Sequence, residues 1–471
     1  MMSLSVSDPF VQLPAELRLH IIMSTNCTIT ISRLIQASPS MLQQYLADKR
    51  YIQRHIIDYD EDMMQDVMAI ILIPRFCRTS QEVPDEKNLM SARTVLHDWS
   101  MGQLPHPSQL KSDDVASQLN ELHNRILLLA EDYITKATAS FPPQDYLCLP
   151  QMQRPSANGH LMFRGVAVTP RFNLADLTTL EKKRVFKAFI RHELMARAIS
   201  LFSCETQVPT RLISQRESDC ILCVREYYRT LYGAMFAQCS FAKIPVTPGG
   251  TSLETELQFP DTFHFDGNTY AHELDLYDAN WWETFPDFAH WFALLGLDRL
   301  TEFPRFDMGK EDDRDALCFQ IQDTWFDGGT KHTGIPSWLL FEEPRLSRHT
   351  YVIAYPVPIK VPRHLPHDIK TLADDSNMYK QLSGSFDNML QKDIARQRAW
   401  AFFDDTRLYP QETIERPNFP SSSFLKAKCI ETNSHHSWYT YPPCARANRR
   451  TMLGDDARRK LAQLVQDDAP L

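Results

Sequence analysis

Glycine is scarce in this chain, 14 residues among 471. Phosphate-binding loops place glycines at fixed offsets, because only a residue without a Cβ lets backbone N–H groups close on a phosphate. No Gly-x-Gly-x-x-Gly, Walker loop or Gly-x-Ser-x-Gly elbow occurs, so the common nucleotide-binding and hydrolase signatures are excluded. No apolar run approaches the roughly 20 residues that a membrane helix needs; the best candidate, Val67 to Ile73, is far shorter. Met1 to Phe10 has neither the basic start nor the apolar stretch of a secretory signal. The ten cysteines follow no regular spacing, so reduced thiols in the cytoplasm or nucleus are expected. A net charge of −9 lacks the positive face that non-specific nucleic-acid binding requires. Neither nucleic acid nor membrane is an expected partner.

Proline, by contrast, is plentiful at 30 residues. Few glycines, many prolines and periodic Leu, Ile, Met and Ala predict a mainly α protein: an N-terminal three-helix package over 10–58, a large proline-punctuated helical body over 59–403, and an irregular C-terminal region over 404–471. Asp62 to Ile73 predicts a helix closed by Pro74. Asp113-Asp114 open another, whose Leu119, Leu122, Ile126, Leu129 and Tyr133 recur by three and four. Phe141 to Asn158 holds four prolines and reads as a loop. Two central helices follow, over Asn173 to Phe202 and Ser218 to Cys239, expected as an antiparallel pair. The first carries Lys182, Lys183, Lys187, Arg191 and Arg197, a basic face expected to be solvated. Further helices are expected over Pro286 to Leu297, Asp312 to Trp325, Asp368 to Gln381 and Phe386 to Phe403. A brief strand is expected at Tyr351 to Ile353, irregular chain over Pro417 to Pro443, and a final helix or frayed tail over Arg449 to Gln466.

One window has charge of a single sign. Between Lys243 and Arg299 there is no Lys or Arg, while ten acids and a crowd of aromatics appear. That surface would attract a basic client, with Asp275 and Asp278 as candidate contacts; the alternative is that the aromatics are core and the acids solvated.

The chemical motifs are fragments. His192-Glu193 and His272-Glu273 each begin a His-Glu-x-x-His zinc helix, but Ala196 and Leu276 stand where the second ligand belongs. Asp266, Gly267 and Glu273 match part of a calcium loop with too few carboxylates. His264-Phe265-Asp266 supplies two ligands of a non-haem iron triad, with His290, His332 or His349 as a third, but that chemistry belongs to β-rich barrels. Cys220 and Cys223 lie one turn apart within a helical stripe, where buried thiols are expected and not the zinc site that Cys204 and Cys239 could complete. No nucleophile stands with its base. A non-catalytic protein without metal or cofactor is expected, the iron-oxygenase reading through His264 and Asp266 being the remote alternative.

The most informative stretch is Leu13 to Ile57. Pro14 suits a helix start, and Glu16 lies in the first turn, where the helix dipole favours an acid. Leu13, Leu17, Ile21 and Ile22 recur at helical spacing. Ile31, Leu34 and Ile35 form a second apolar face before Ser38-Pro39, and Pro39 opens a third helix. Leu13-Pro14, Glu16-Leu17, Ile21 and Leu34 to Ser40 together resemble the divergent F-box found at the start of many long fungal proteins. Leu42, Gln43, Gln44 and Tyr45 stand where ordinary F-boxes carry a basic residue and a tryptophan. Cys223 to Ala234 and Phe285 to His290 resemble recurrent segments in the helical bodies of the same proteins. The resemblance implies docking on a Skp-type adaptor of a cullin–RING ubiquitin ligase through Leu13, Pro14, Leu17, Ile21, Leu34, Ile35 and Pro39, with the body holding a protein client. The alternative is a helical interaction or structural protein without ligase coupling.

Overall fold

Local sequence sets the first helices. In the computed structural model, which describes residues 8–25, 28–56, 59–74, 85–110, 112–140, 142–150, 160–163, 166–201, 214–239, 263–268, 288–302, 310–328 and 376–431, Pro14 immediately precedes α1 (Ala15–Ser24). The second helix is α2 (Thr28–Ala37), and Pro39 is the first residue of α3 (Pro39–Ile56), where a missing N–H costs nothing. The Ser38 hydroxyl caps α3 by accepting from Met41 N at 3.1 Å. Ile22, Ile31, Met41 and Ile52 are buried together, with Phe10, Leu19, Leu34, Ile35 and Tyr45 packed around them. This small core is separate from that of the body.

The body begins with α4 (Glu61–Leu72), α5 (Glu86–Ser100), α6 (Pro107–Leu110) and α7 (Asp113–Ala137). Asp60 caps α4 by accepting from Met63 N at 2.7 Å, and the extended backbone at Ile73 ends it before Pro74. The stripe expected on α7, Leu119 to Tyr133, is buried throughout. A short α8 (Pro142–Asp145) follows. An antiparallel hairpin, β1 (His160–Phe163) and β2 (Val166–Pro170), comes next; nothing in the sequence pattern distinguished it from loop. Among the described residues 70% are helical, so the chain is mainly α.

The centre is built by α9 (Thr179–Leu201) and α10 (Gln215–Gln238), which pack on one another. A reciprocal cap starts α10: Ser214 Oγ accepts from Glu217 N at 3.2 Å, and the Glu217 carboxylate accepts from Ser214 N at 2.9 Å. From Cys220 onward nearly every α10 residue is buried. Tyr227 stacks on Tyr133 with centroids 4.6 Å apart, and Phe189 meets Tyr227 and Tyr228 edge-on. The expected antiparallel pairing is corrected here. Arg184 and Arg216 share Asp404, Lys187 meets Glu217, and further along His192 meets Tyr228. The contacts advance together, so the two helices run in the same general direction. Residues 202–214 between them are enough to span about 43 Å, more than the ~34 Å of a 23-residue helix.

Around α10 lie α11 (Phe288–Ala293), α12 (Gly296–Glu302), α13 (Glu311–Gly328), α14 (Asn377–Ser383) and α15 (Met389–Gln397). Beyond α15 the chain has no regular structure from Arg398 to Ser421, so its carbonyls need other partners. Arg216 donates to Ala401 O and Phe403 O at 2.8 and 2.9 Å, and Arg184 to Phe402 O at 2.9 Å. Asp404 N and Arg407 both reach Glu181, and Tyr409 enters the body's core. Within the stretch expected to be irregular, α16 (Ser422–Glu431) is helical. The expected strand at 351–353, the tail at 449–466 and the first part of the helix expected from Asp368 lie outside the described residues.

Candidate functional site

The N-terminal package has two sides. On α1, Ile22 is fully buried while Pro14 and Leu17 are exposed and Ile21 is half-buried. Pro14, Leu17 and Ile21 are spaced by three and four, so they share one face. On α3, Pro39, Leu42 and Leu46 repeat that spacing and are all exposed, whereas Met41, Gln44 and Ile52 are buried. Leu17 is 50% exposed and Leu46 62%. Leu13 is half-buried, and Leu34 and Ile35 are partly buried against the package core. The sequence-derived anchors thus divide into an exposed set, Pro14, Leu17 and Pro39, and a set engaged within the package. Leu42 and Leu46 add exposed apolar side chains on α3; Leu42 falls where the F-box pattern fails and Leu46 just beyond it, which is why motif reasoning passed over them.

A latch holds the package shut. Asp8 accepts from the Ser38 hydroxyl at 2.7 Å, from Ser40 N at 3.0 Å and from Phe10 N at 3.0 Å. Desolvation opposes ionisation there, but these hydrogen bonds prevail and hold the Asp8 carboxyl well below the usual carboxylate range.

In the body, the motif fragments are structural. His192 is buried with its ring 4.7 Å from that of Tyr228, and burial pushes its imidazole down to about 3. The Glu193 oxygens are taken by Arg197 Nε at 2.8 Å and Leu297 N at 2.6 Å. Cys220 and Cys223 are buried, as their place in the helical stripe predicts; Cys220 Sγ faces Ala401 O at 3.5 Å. Cys204 lies outside the described residues.

His264 faces Glu226 Oε1 at 3.3 Å. Gln397 locks the same segment: its amide nitrogen donates to Phe265 O and Glu226 Oε1 at 2.8 and 3.0 Å, and its oxygen accepts from Phe265 N at 3.0 Å. Burial disfavours the imidazolium, but the Glu226 carboxylate outweighs it and raises His264. Asp266 accepts from Asn268 N at 3.0 Å, and Asn268 in turn accepts from Ala289 N at the start of α11. His290 is buried on α11; His332 and His349 lie outside the described residues. Among the described residues no three His, Cys, Asp or Glu side chains are arranged to hold a metal ion.

Of the described aromatics in the acidic window, Phe265, Phe288, Trp291 and Phe292 are core, while Phe263 is only half-buried, against the Phe424 ring. Asp275 and Asp278 lie outside the described residues.

The expectation of a solvated basic face on α9 is corrected at Lys187, Arg191 and Arg197, while Lys183 stays exposed. Lys187 pairs with Asp62 at 2.7 Å and Glu217 at 2.5 Å; Arg191 with Asp66 at 2.9 Å and Asp62 at 3.0 Å; Lys183 with Asp60; Arg197 with Glu193 and Asp298. These cations fasten α9 to α4, α10 and α12. Their acidic partners lie up to 129 positions away in sequence, beyond the reach of a local charge pattern.

Comparison of the chain with protein-family models, with curated proteins and with solved structures finds no match. No helix among the described residues is long and apolar enough to cross a membrane.

Proposed function

We propose that residues 10–58 are an F-box-like docking unit that joins a Skp-type adaptor of a cullin–RING ubiquitin ligase in the cytoplasm or nucleus, and that the helical body presents a protein client without catalysing a reaction. One observation carries this reading. Five of the eleven large apolar side chains exposed among the described residues, Val11, Leu17, Leu42, Leu46 and Tyr51, fall within this one package, which has a core of its own. Apolar side chains left uncovered at helical spacing suit the groove of a partner. Pro14, Leu17 and Pro39 would anchor the contact, Leu42 and Leu46 would widen it, and Leu13, Ile21, Leu34 and Ile35 would shape it from within. Asp275 and Asp278 remain the candidate contacts to a basic client.

The second reading, an interaction protein without ligase coupling, is favoured by Leu42 to Tyr45 standing in place of the basic-tryptophan segment. Co-purification with a Skp-type adaptor separates the two. Binding energy concentrates in few anchors, and losing one costs about 2 kcal/mol, roughly 30-fold in Kd. Leu17→Asp combined with Leu46→Asp should therefore abolish adaptor capture with thermal stability nearly unchanged, because both side chains are at least half exposed. Wild-type protein that never captures the adaptor leaves the second reading.

A further inference from the structure

Where α7 meets α8, one buried ammonium pairs with one buried carboxyl group and acts on a second through charge alone. Lys136 is fully buried; its Nζ lies 2.6 Å from Asp132 Oδ2 and donates to Cys148 O at 2.7 Å. Tyr227 OH donates to the same Asp132 oxygen at 2.7 Å. Lys136 is thereby placed over the Tyr146 and Tyr227 rings, 5.9 and 5.7 Å from their centroids. Asp132 Oδ2 is thus doubly satisfied, but Asp132 Oδ1 has no hydrogen-bond partner, and neither has Asp145 Oδ1. Both residues are more than nine-tenths buried. A buried carboxylate oxygen left bare is costly, and two such atoms around one lysine call for a proton.

We propose that this junction is a proton-dependent lock: Asp145 is held as the neutral acid while α8 is packed against α7 and β2, and removing its proton loosens the 142–150 segment. A neutral carboxyl supplies a donor where two acceptors stand bare, and it leaves Lys136 to balance one carboxylate, Asp132, instead of two.

The surrounding charges have been assigned elsewhere. From α7 the facing groups are Asp132 and Lys136; from α10, Tyr227; from the segment itself, Tyr146 and Cys148. Beyond α15 stands Arg398, but its guanidinium donates to Ala139 O at 2.6 Å and Ala137 O at 3.4 Å, so it offers Asp145 only distant charge. β2, which also packs on α8, has no ionisable side chain. Burial is the main cause that lifts the Asp145 carboxyl to about 7, with Asp132 adding to it and Lys136 and Arg398 opposing.

The sign follows from linkage. A carboxyl raised in the folded state contributes stability that is complete below its ordinary value of 3.8 and is lost as pH rises through about 7. Between pH 5 and pH 8.5 the folded-to-unfolded ratio should fall by on the order of 100-fold through this group alone. His264 is also raised in the folded state, so the diagnostic quantity is the difference between the full-length wild type and Asp145→Asn, whose amide cannot ionise. The variant should already be the more stable of the two at pH 5, and the gap between their urea midpoints should widen by pH 8.5. A ¹³C-carboxyl titration of Asp145 in the wild-type chain gives the same answer without a variant. Parallel pH profiles, or a carboxyl that titrates near 4, would overturn the lock.

Discussion

Gly233 of α10 and Gly267 touch backbone to backbone: a Cβ on Gly233 would lie 2.4 Å from Gly267 Cα and 2.9 Å from its carbonyl oxygen. The reverse contact is as tight, since a Cβ on Gly267 would meet Arg229 O at 2.6 Å. Segment 263–268 can seat on α10 only because both positions are bare. Gly233→Ala should therefore destabilise by about 3 kcal/mol, the upper end for overpacking, because the opposing atoms are backbone and cannot rotate away. Equilibrium urea unfolding checks this; loss below about 0.5 kcal/mol would mean that the two chains separate easily.

Arg191 stands between Asp66, which is fully buried and also accepts from Trp99 Nε1 at 2.7 Å, and Asp62. Arg191→Met leaves the Asp66 charge without its cation, which typically costs about 3–5 kcal/mol. Removing both charges, with Arg191→Met and Asp66→Asn together, should recover a substantial part of that loss. A double-mutant cycle by denaturant midpoints measures the coupling, and additive single effects would dissolve the pair as an energetic unit.

His264 links stability to pH through a charged partner. Its folded value is raised above 6.5 by Glu226 despite burial, so its contribution is complete below the ordinary imidazole value and is lost as pH rises through the folded one. His264→Gln should flatten the alkaline arm of the stability profile relative to wild type. An NMR titration of the imidazole should place its midpoint above that of a free histidine; a midpoint below it would show burial outweighing Glu226.

Cys220 and Cys223 should resist alkylation in the native state. Burial pushes both thiols up, Cys223 to about 12, and a thiol reacts through its thiolate. Peptide-resolved mass spectrometry after brief iodoacetamide treatment at pH 8 should find both unmodified until denaturant is added. Rapid native labelling would place them at an accessible surface.

Much of the fold is legible in the sequence. The stripe from Leu119 to Tyr133 marks α7, Asp113 and Asp114 mark its start, and Pro39 and Pro74 mark where one helix begins and another ends. Each signal is local: a helix repeats every 3.6 residues, and caps satisfy its own orphan N–H groups. The helices of the package over 10–58 follow from the same logic, but spacing grouped Leu13, Leu17, Ile21 and Ile22 together, and only packing separated exposed Leu17 from buried Ile22. The β1–β2 hairpin escaped because four- and five-residue strands offer too few alternations to register.

What the sequence by itself determined, then, is where helices form and which of their faces are apolar, because periodicity and capping act over a few residues. Tertiary structure alone decided the fate of the charges. Lys187 and Arg191 look like a solvated face until α4 brings Asp62 and Asp66 to them, and Asp132, Lys136 and Asp145 look like surface residues until α8 and α10 close over them. A lysine or an aspartate has the same letter in water and in a core; only the packing of distant segments removes its water and supplies, or withholds, its partner.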